Sequence, residues 1–130
     1  MTQEEQEKKA LEFQILGNQY EQYKEHLTHL QKQKESIENL LASLEEISKL
    51  KSGEDFLSPL SSGVLVKTSL KEPDKVFMTV GAGVVVKKDI KSARKTLEEQ
   101  KNQLTLITSQ LQSQVSQLGN MLGQLQNELS

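Results

Sequence analysis

The chain has 130 residues with 16 basic and 18 acidic side chains, no Cys and no Trp, so disulfides and thiolate metal sites are excluded and no electrostatic case exists for nucleic acid or an anionic membrane. Only 4% of residues are aromatic and the mean hydropathy is -0.56, which leaves little for a thick core and confines apolar contacts to narrow seams. The polar N-terminus has no apolar signal region and no stretch approaches a membrane span, so the expected location is the cytoplasm.

Residues 4–51 contain no Pro and a single Gly, Gly17. Phe13, Leu16, Tyr20, Tyr23, Leu27, Leu30, Ile37, Leu41 and Leu44 recur at three- and four-residue steps. They alternate as a and d of a heptad, with Lys34 in the skipped a position. A polar residue there can fix register, or lay its stem along the seam. The spacing predicts a helix over the N-terminal segment, residues 1–51, roughly 70 Å long at about 1.5 Å per residue. That is far beyond an average globular helix.

The central segment, residues 52–88, holds both Pro residues and four of the seven Gly. Val64, Val66, Thr68 and Leu70 alternate with Leu65, Lys67 and Ser69. Val76, Met78 and Val80 alternate with Phe77 and Thr79, and Val84, Val85 and Val86 form a third run. Period two with β-branched enrichment predicts strands. Residues 71–74 (Lys-Glu-Pro-Asp) carry turn chemistry between the first two runs, and Gly81-Ala82-Gly83 is a tight turn before the third. A fourth short strand fits residues 56–60. So few strands bury too little to be stable alone, and their edges leave backbone groups unpaired. Both faces of the Val runs are apolar. Pairing with the same segment of other chains is the expected solution.

A second helix is expected over residues 89–130. Ile90, Leu97, Leu104, Leu111, Leu118 and Leu125 fall at seven-residue spacing. The d row would be Ala93, Gln100, Ile107, Gln114, Met121 and Glu128, which is weak, while Val115, Leu122 and Leu129 lie one step beyond it and partly take over near the end. Asp89 is the expected N-cap. The fold class is therefore α+β, predominantly α: two long helices in an antiparallel coiled-coil hairpin joined by one or two β-hairpins. Residue numbers summing to about 139 match the seams, with Leu41 facing Leu97 and Phe13 facing Leu125.

No chemistry-bearing constellation emerges. His26 and His29 have a spacing that helical metal sites use, but no third ligand accompanies them, and a solvated surface is the simpler reading. Gly81-x-Gly83 is followed by a strand, not the helix that a nucleotide fingerprint needs. No Ser-His-Asp or Cys-His set and no Walker-type Lys is present. An enzyme is not expected, nor any cofactor or metal. Gly119 and Gly123 loosen the last turns of the second helix, since Gly costs about 1 kcal/mol relative to Ala there. Phe13, Ile15, Leu16, Val115, Met121, Leu122, Leu125 and Leu129 exceed the needs of one seam, and beyond Asn102 the only charge is Glu128. From the pattern alone this end is either ordinary seam at a fraying terminus or a surface for apolar segments of other proteins.

The central stretch Leu57-x-Pro59-Leu60-x-x-Gly63-Val64-Leu65-Val66-Lys67, with the VGAGVVVKKD run at residues 80–89, resembles prefoldin, and more narrowly its alpha-class subunits. The resemblance spans essentially the whole chain as one prefoldin-type domain. One departure is Ser61, where the family usually has Gly. Room for two hairpins favours the alpha class over the beta class, which has one. The resemblance implies an ATP-independent chaperone in which two alpha and four beta subunits join their hairpins into a platform. Coiled-coil tips would hold unfolded clients and pass them to a group II chaperonin. Val64, Val66, Leu70, Val76, Met78, Val80, Val84 and Val86 would then build the platform. Phe13, Ile15, Leu16, Met121, Leu122, Leu125 and Leu129 would contribute to client contact. The rival readings are a coiled-coil scaffold for one specific partner and a homo-oligomeric prefoldin relative.

Overall fold

The structure, a computed structural model, describes residues 2–130; Met1, part of the expected N-terminal segment, lies outside them. Helix α1 spans Gln3–Ser48 and helix α2 spans Ile90–Leu129. Between them lie strands β1 (Asp55–Ser61), β2 (Val64–Ser69), β3 (Lys75–Thr79) and β4 (Val85–Asp89). The α1 start follows from a capping box. Glu5 N–H donates to Thr2 Oγ1 at 3.2 Å, and Thr2 N–H donates back to Glu5 Oε2 at 3.4 Å. Each side chain thereby satisfies a donor that the first helical turn leaves free.

The chain divides into two compact units, residues 2–35 with 102–130, and residues 36–101. In the first unit, α1 turns a strict four-three stripe inward: Lys9, Phe13, Leu16, Tyr20, Tyr23, Leu27, Leu30 and Lys34 are half-buried or buried. Lys34 follows the expected stripe. On α2, Leu111, Leu118 and Leu125 are buried. Tyr20 packs against Gly119, where an added Cβ would meet Tyr20 Cε2 at 3.5 Å. Lys9 Nζ reaches Glu128 Oε2 at 2.9 Å. The partner number falls as the α1 number rises, so the pairing is antiparallel and close to the expected register.

The second row of the α2 seam shifts by one step earlier and more fully than expected, beginning at Thr108 and continuing through Val115, Leu122 and Leu129. Ile107, Gln114, Met121 and Glu128 are exposed, and the buried or half-buried row is Thr108, Val115, Leu122 and Leu129. A leucine every seven residues is compatible with a companion row either three or four positions on. Packing selects the row that buries one Val and two Leu over the row that would bury Gln and Glu. The choice brings in Thr108, whose buried Oγ1 has no hydrogen-bond partner.

The second unit holds its own core. Leu41 and Leu44 of α1 pack with Ala93 and Leu97 of α2, and Ile37, Val76 and Met78 close over them. Ala93 is only 1% exposed; a small residue there admits close approach. The expected Leu41–Leu97 facing pair lies in this cluster. Strand β1 pairs antiparallel with β2, and β3 with β4, as two separate two-stranded sheets. The turn at residues 71–74 therefore links two hairpins and does not pair its flanking strands. Both hairpin loops use left-handed backbone. Gly63 has φ 81°, and Gly81, Ala82 and Gly83 have φ 114°, 48° and 76°. Gly81 lies where a Cβ would be strained. Ser61 needs no such conformation: the register slips between Pro59 and Ser61, so that Ser61 stands opposite Val64. A small bulge lets the non-glycine residue enter the turn without left-handed backbone.

Charges tie the second hairpin to its surroundings. Lys87 Nζ lies 2.7 Å from Glu72 Oε2, and Lys75 pairs with Asp89. Asp89 ends β4, and its carboxylate takes the Lys75 ammonium; the expected cap of α2 is replaced at its first residue by Ile90 N–H donating to the Asp74 carbonyl at 2.9 Å. The Lys87 hydrogen bond holds the Glu72 carboxyl below its usual range. The Lys75 hydrogen bond lowers Asp89, and Asp89 in turn raises Lys75.

Two predictions follow from these contacts. Thr108→Val removes the unpartnered hydroxyl while keeping the branched shape, and should raise unfolding stability by about 1 kcal/mol; chemical denaturation that shows destabilisation would refute the assignment of Thr108 to the seam. The second concerns pH. Glu72 and Asp89, with depressed folded pKa values, contribute stability that is present at neutral pH and lost as pH falls through those values. Lys75, with a raised value, contributes stability that is lost only as pH climbs through it, above the ordinary lysine range. Amide NMR of residues 75–89 should therefore change at both extremes and not between them. The changes should be small and salt-sensitive, because all three groups face solvent.

Candidate interaction surfaces

Each residue expected to contact clients lies in the first unit, and the seam divides them into two kinds. Leu125 is buried. Phe13, Leu16, Leu122 and Leu129 are half-buried seam residues. Ile15 and Met121 face solvent, at 58% and 43% exposure. The heptad explains the partition. Ile15 lies between the stripe residues Phe13 and Leu16, and Met121 falls in the row that packing leaves outside. Leu11 on α1 and Leu106 and Ile107 on α2 are also exposed, and sequence reasoning missed them. For Leu11 and Leu106 the signal was available, since neither falls on an expected seam position; Ile107 was expected in the seam, and only packing turns it outside.

The pleat sorts the expected assembly residues in the same way. Val66, Leu70, Val76, Met78 and Val86 are half-buried, and Val76 and Met78 cover the chain's own helix cluster. Val64, Val80 and Val84 are exposed beside the hairpin loops. Leu65 and Phe77, which the strand pattern put on the alternate face, are strongly exposed, as are Leu57 and Val85 and, next to the first loop, Leu60. Phe77 is 69% exposed. Its cross-strand partner is Lys87, whose Nζ stands 6.0 Å from the ring centroid. On the first hairpin Leu57 stands opposite Lys67, and Lys67 Nζ lies 3.4 Å from Asp55 Oδ2. Each hairpin thus carries an apolar outward face edged by a lysine that is engaged within the chain.

The inward side of the second hairpin leaves an open groove of about 340 Å³, lined by Leu40, Leu44, Val76, Phe77, Met78, Thr79, Ala93 and Leu97. Its lining offers no acid, base or nucleophile beyond one Thr hydroxyl. A second open groove, of about 530 Å³, includes Asp74, Asp89, Lys91 and Arg94. Among the described residues, no group of three or more His, Cys, Asp or Glu is placed to hold a metal ion. His26 and His29 are exposed on α1, and the His29 ring lies 3.2 Å from the Gln33 side-chain amide one turn on. The Gly81-x-Gly83 stretch is the β3–β4 loop. Among the described residues no helix is long and apolar enough to cross a membrane.

Similarity to known proteins agrees with this geometry. The family described as prefoldin subunit matches residues 16–130. The prefoldin subunit alpha of Methanobrevibacter smithii is 30% identical over 122 residues, covering 87% of this chain and 82% of the relative. That of Methanococcus vannielii is 27% identical over 122 residues, with 85% and 84% covered. That of Thermofilum pendens is 22% identical over 123 residues, with 95% of each covered. In fold, the chain is similar to the cryo-EM structure of filamentous PFD from Methanocaldococcus jannaschii, with a TM-score of 0.72, 22% identity, and coverage of 88% and 95%. With two hairpins between two long helices, and with these relatives across nearly its whole length, the chain belongs to the prefoldin subunit family, on its alpha side.

Proposed function

We propose that this chain is an assembly subunit of an ATP-independent chaperone, working in the cytoplasm without catalysis. Its hairpins join those of beta-class prefoldin subunits, in a hexamer of two alpha and four beta chains. The first unit captures unfolded proteins, and the complex hands them to a group II chaperonin. The observation that carries the reading is apolar surface left over after each internal seam is satisfied. Leu11, Ile15 and Met121 remain in solvent beside a seam already filled by leucines, and Leu57, Leu65, Phe77 and Val85 remain in solvent on hairpins whose other faces are half-buried. Fully covering one such side chain is worth about 1.5–3 kcal/mol. Several weak contacts shared by one client raise the effective concentration, so no single arm needs high affinity. The neutral α2 surface from Asn102 to Asn127 also puts no charge in the way of an apolar segment.

Self-assembly of the chain alone is the second reading, and the fold likeness to a filamentous PFD favours keeping it. A scaffold for one specific partner is the third, and would leave aggregation of unrelated proteins unaffected.

Mixing the purified chain with a beta-class prefoldin subunit should give a complex several times heavier than either component by mass in solution. That complex should slow aggregation of a denatured protein without ATP. Neither complex nor suppression would sink the proposal. A large particle formed by the chain alone selects the second reading. Removing residues 1–16 and 121–130 should spare assembly and weaken suppression. A finer separation comes from Leu11→Ser, Ile15→Ser and Met121→Ser combined, which should lower suppression several-fold at unchanged complex mass. Gly123→Ala has open space for its Cβ and should stabilise the helix by up to about 1 kcal/mol; unchanged or lower thermal stability would contradict the loosening role assigned to that glycine.

A further inference from the structure

The exposed side of α2 is sorted by size and period. Gln103, Ile107, Gln110, Gln114, Gln117, Met121 and Gln124 recur at alternating four- and three-residue steps, and every one is exposed. This stripe holds five of the eight Gln of α2. It runs beside the buried row of Leu111, Leu118 and Leu125. The outermost positions hold small side chains instead, among them Ser109, Ser113, Ser116 and Gly123. A face that meets only water has no reason for such sorting, whereas three- and four-residue steps are the spacing with which one helix meets another. Within the stripe, Ile107 and Met121 are 46% and 43% exposed, and Leu106 on its border is 66% exposed. No charged residue occurs between Asn102 and Asn127.

The stripe is also a palindrome centred on Gln114. Polar and apolar positions follow in the same order whether it is read from Gln103 or from Gln124. Two copies laid antiparallel therefore match at every layer. Ile107 meets Met121, Gln103 meets Gln124, Gln110 meets Gln117, and Gln114 meets itself. We propose that this stripe is a second coiled-coil seam, occupied by the same stripe of a second copy of this chain running antiparallel. The palindrome makes the contact isologous, so one patch supplies both halves. The glutamines suit a self-contact, because an amide both donates and accepts and so can bond its own copy. A carboxylate or ammonium in the same place would repel its counterpart. Opposed macrodipoles favour the antiparallel sense. An unfolded client segment has no fixed register and would not call for a palindrome. In this pairing Ser130 falls opposite Glu98, so the overlap stays within α2. Polar layers cost stability and fix register, which makes the contact specific and weak. It goes beyond client capture and shares only Met121 with it: a paired copy covers that side chain, and a client must compete for it.

The chain has no Cys, so single cysteines report which positions meet, a disulfide needing Cα atoms within about 7 Å. In the full chain under oxidised glutathione, Gln114→Cys should cross-link two copies. Gln103→Cys and Gln124→Cys, mixed with one of them isotope-labelled, should give the mixed dimer in several-fold excess over either self-dimer. Ser116→Cys, outside the stripe, measures random collision and should stay several-fold below Gln114→Cys. Adding Ile107→Lys and Met121→Lys should lower the Gln114→Cys yield several-fold. Ile107→Lys with Met121→Glu should restore it, because each lysine then faces a glutamate. All these positions are exposed, and helix content by circular dichroism checks the fold. A Gln114→Cys yield no higher than that of Ser116→Cys would overturn the second seam. Self-dimers of Gln103→Cys in excess, or no recovery with the Lys and Glu combination, would overturn the antiparallel register. Every readout concerns α2 and is independent of how the hairpins assemble.

Discussion

The packing of Val76 and Met78 onto Leu41, Leu44, Ala93 and Leu97 is the contact on which the orientation of the second hairpin depends. A strand cannot turn two consecutive side chains the same way. Once Val76 and Met78 face the helix cluster, Phe77 must face away. The register then carries the choice across to β4, where Val86 turns inward opposite Met78 and Val85 outward opposite Thr79. A surface that looks wasteful, an aromatic ring in water, is therefore a geometric consequence of covering the helix ends.

The helical seam obeys a parallel rule. Its leucines recur at intervals of seven, and the companion row must satisfy the partner helix at the same rise. Choosing Thr108, Val115, Leu122 and Leu129 as that row places Ile107 and Met121 outside. Thr108 is the cost of that choice, a buried hydroxyl without a partner. Small adjustments accommodate the rest: Gly119 makes room for the Tyr20 ring, and Lys9 meets Glu128 near the chain ends. In both units, the surface available for interaction is what remains after the internal seam is filled.

Charge plays a supporting part. The lysines beside the outward apolar residues are neutralised within the chain, Lys67 by Asp55 and Lys87 by Glu72. Exposed pairs of this kind add little stability. They do place a cation at the edge of each apolar face, where a strand edge in solvent is otherwise open to indiscriminate pairing. Placing Asp89 against Lys75 in the same hairpin displaces it from the capping role that its position before α2 suggested, and the Asp74 carbonyl serves the first helical amide.

The sequence by itself determined the order of elements, the α1 stripe, the approximate antiparallel register, the three principal strands and the absence of familiar catalytic motifs. These rest on periodicity, which is a local property: 3.5 for a seam, 2 for a strand, and Gly or Pro where the backbone must turn. Only the tertiary structure decided that α2 buries Thr108 in place of Ile107 and keeps to that row to its end, which face of each hairpin turns outward, and that residues 71–74 join two hairpins. The reason is the same in each case. Leucines at intervals of seven leave two companion rows open, and a strand that is apolar on both faces leaves two orientations open. Each ambiguity is resolved only by the neighbour that covers one option: Leu41 and Leu44 for β3, and the α1 stripe for Val115 and Leu122.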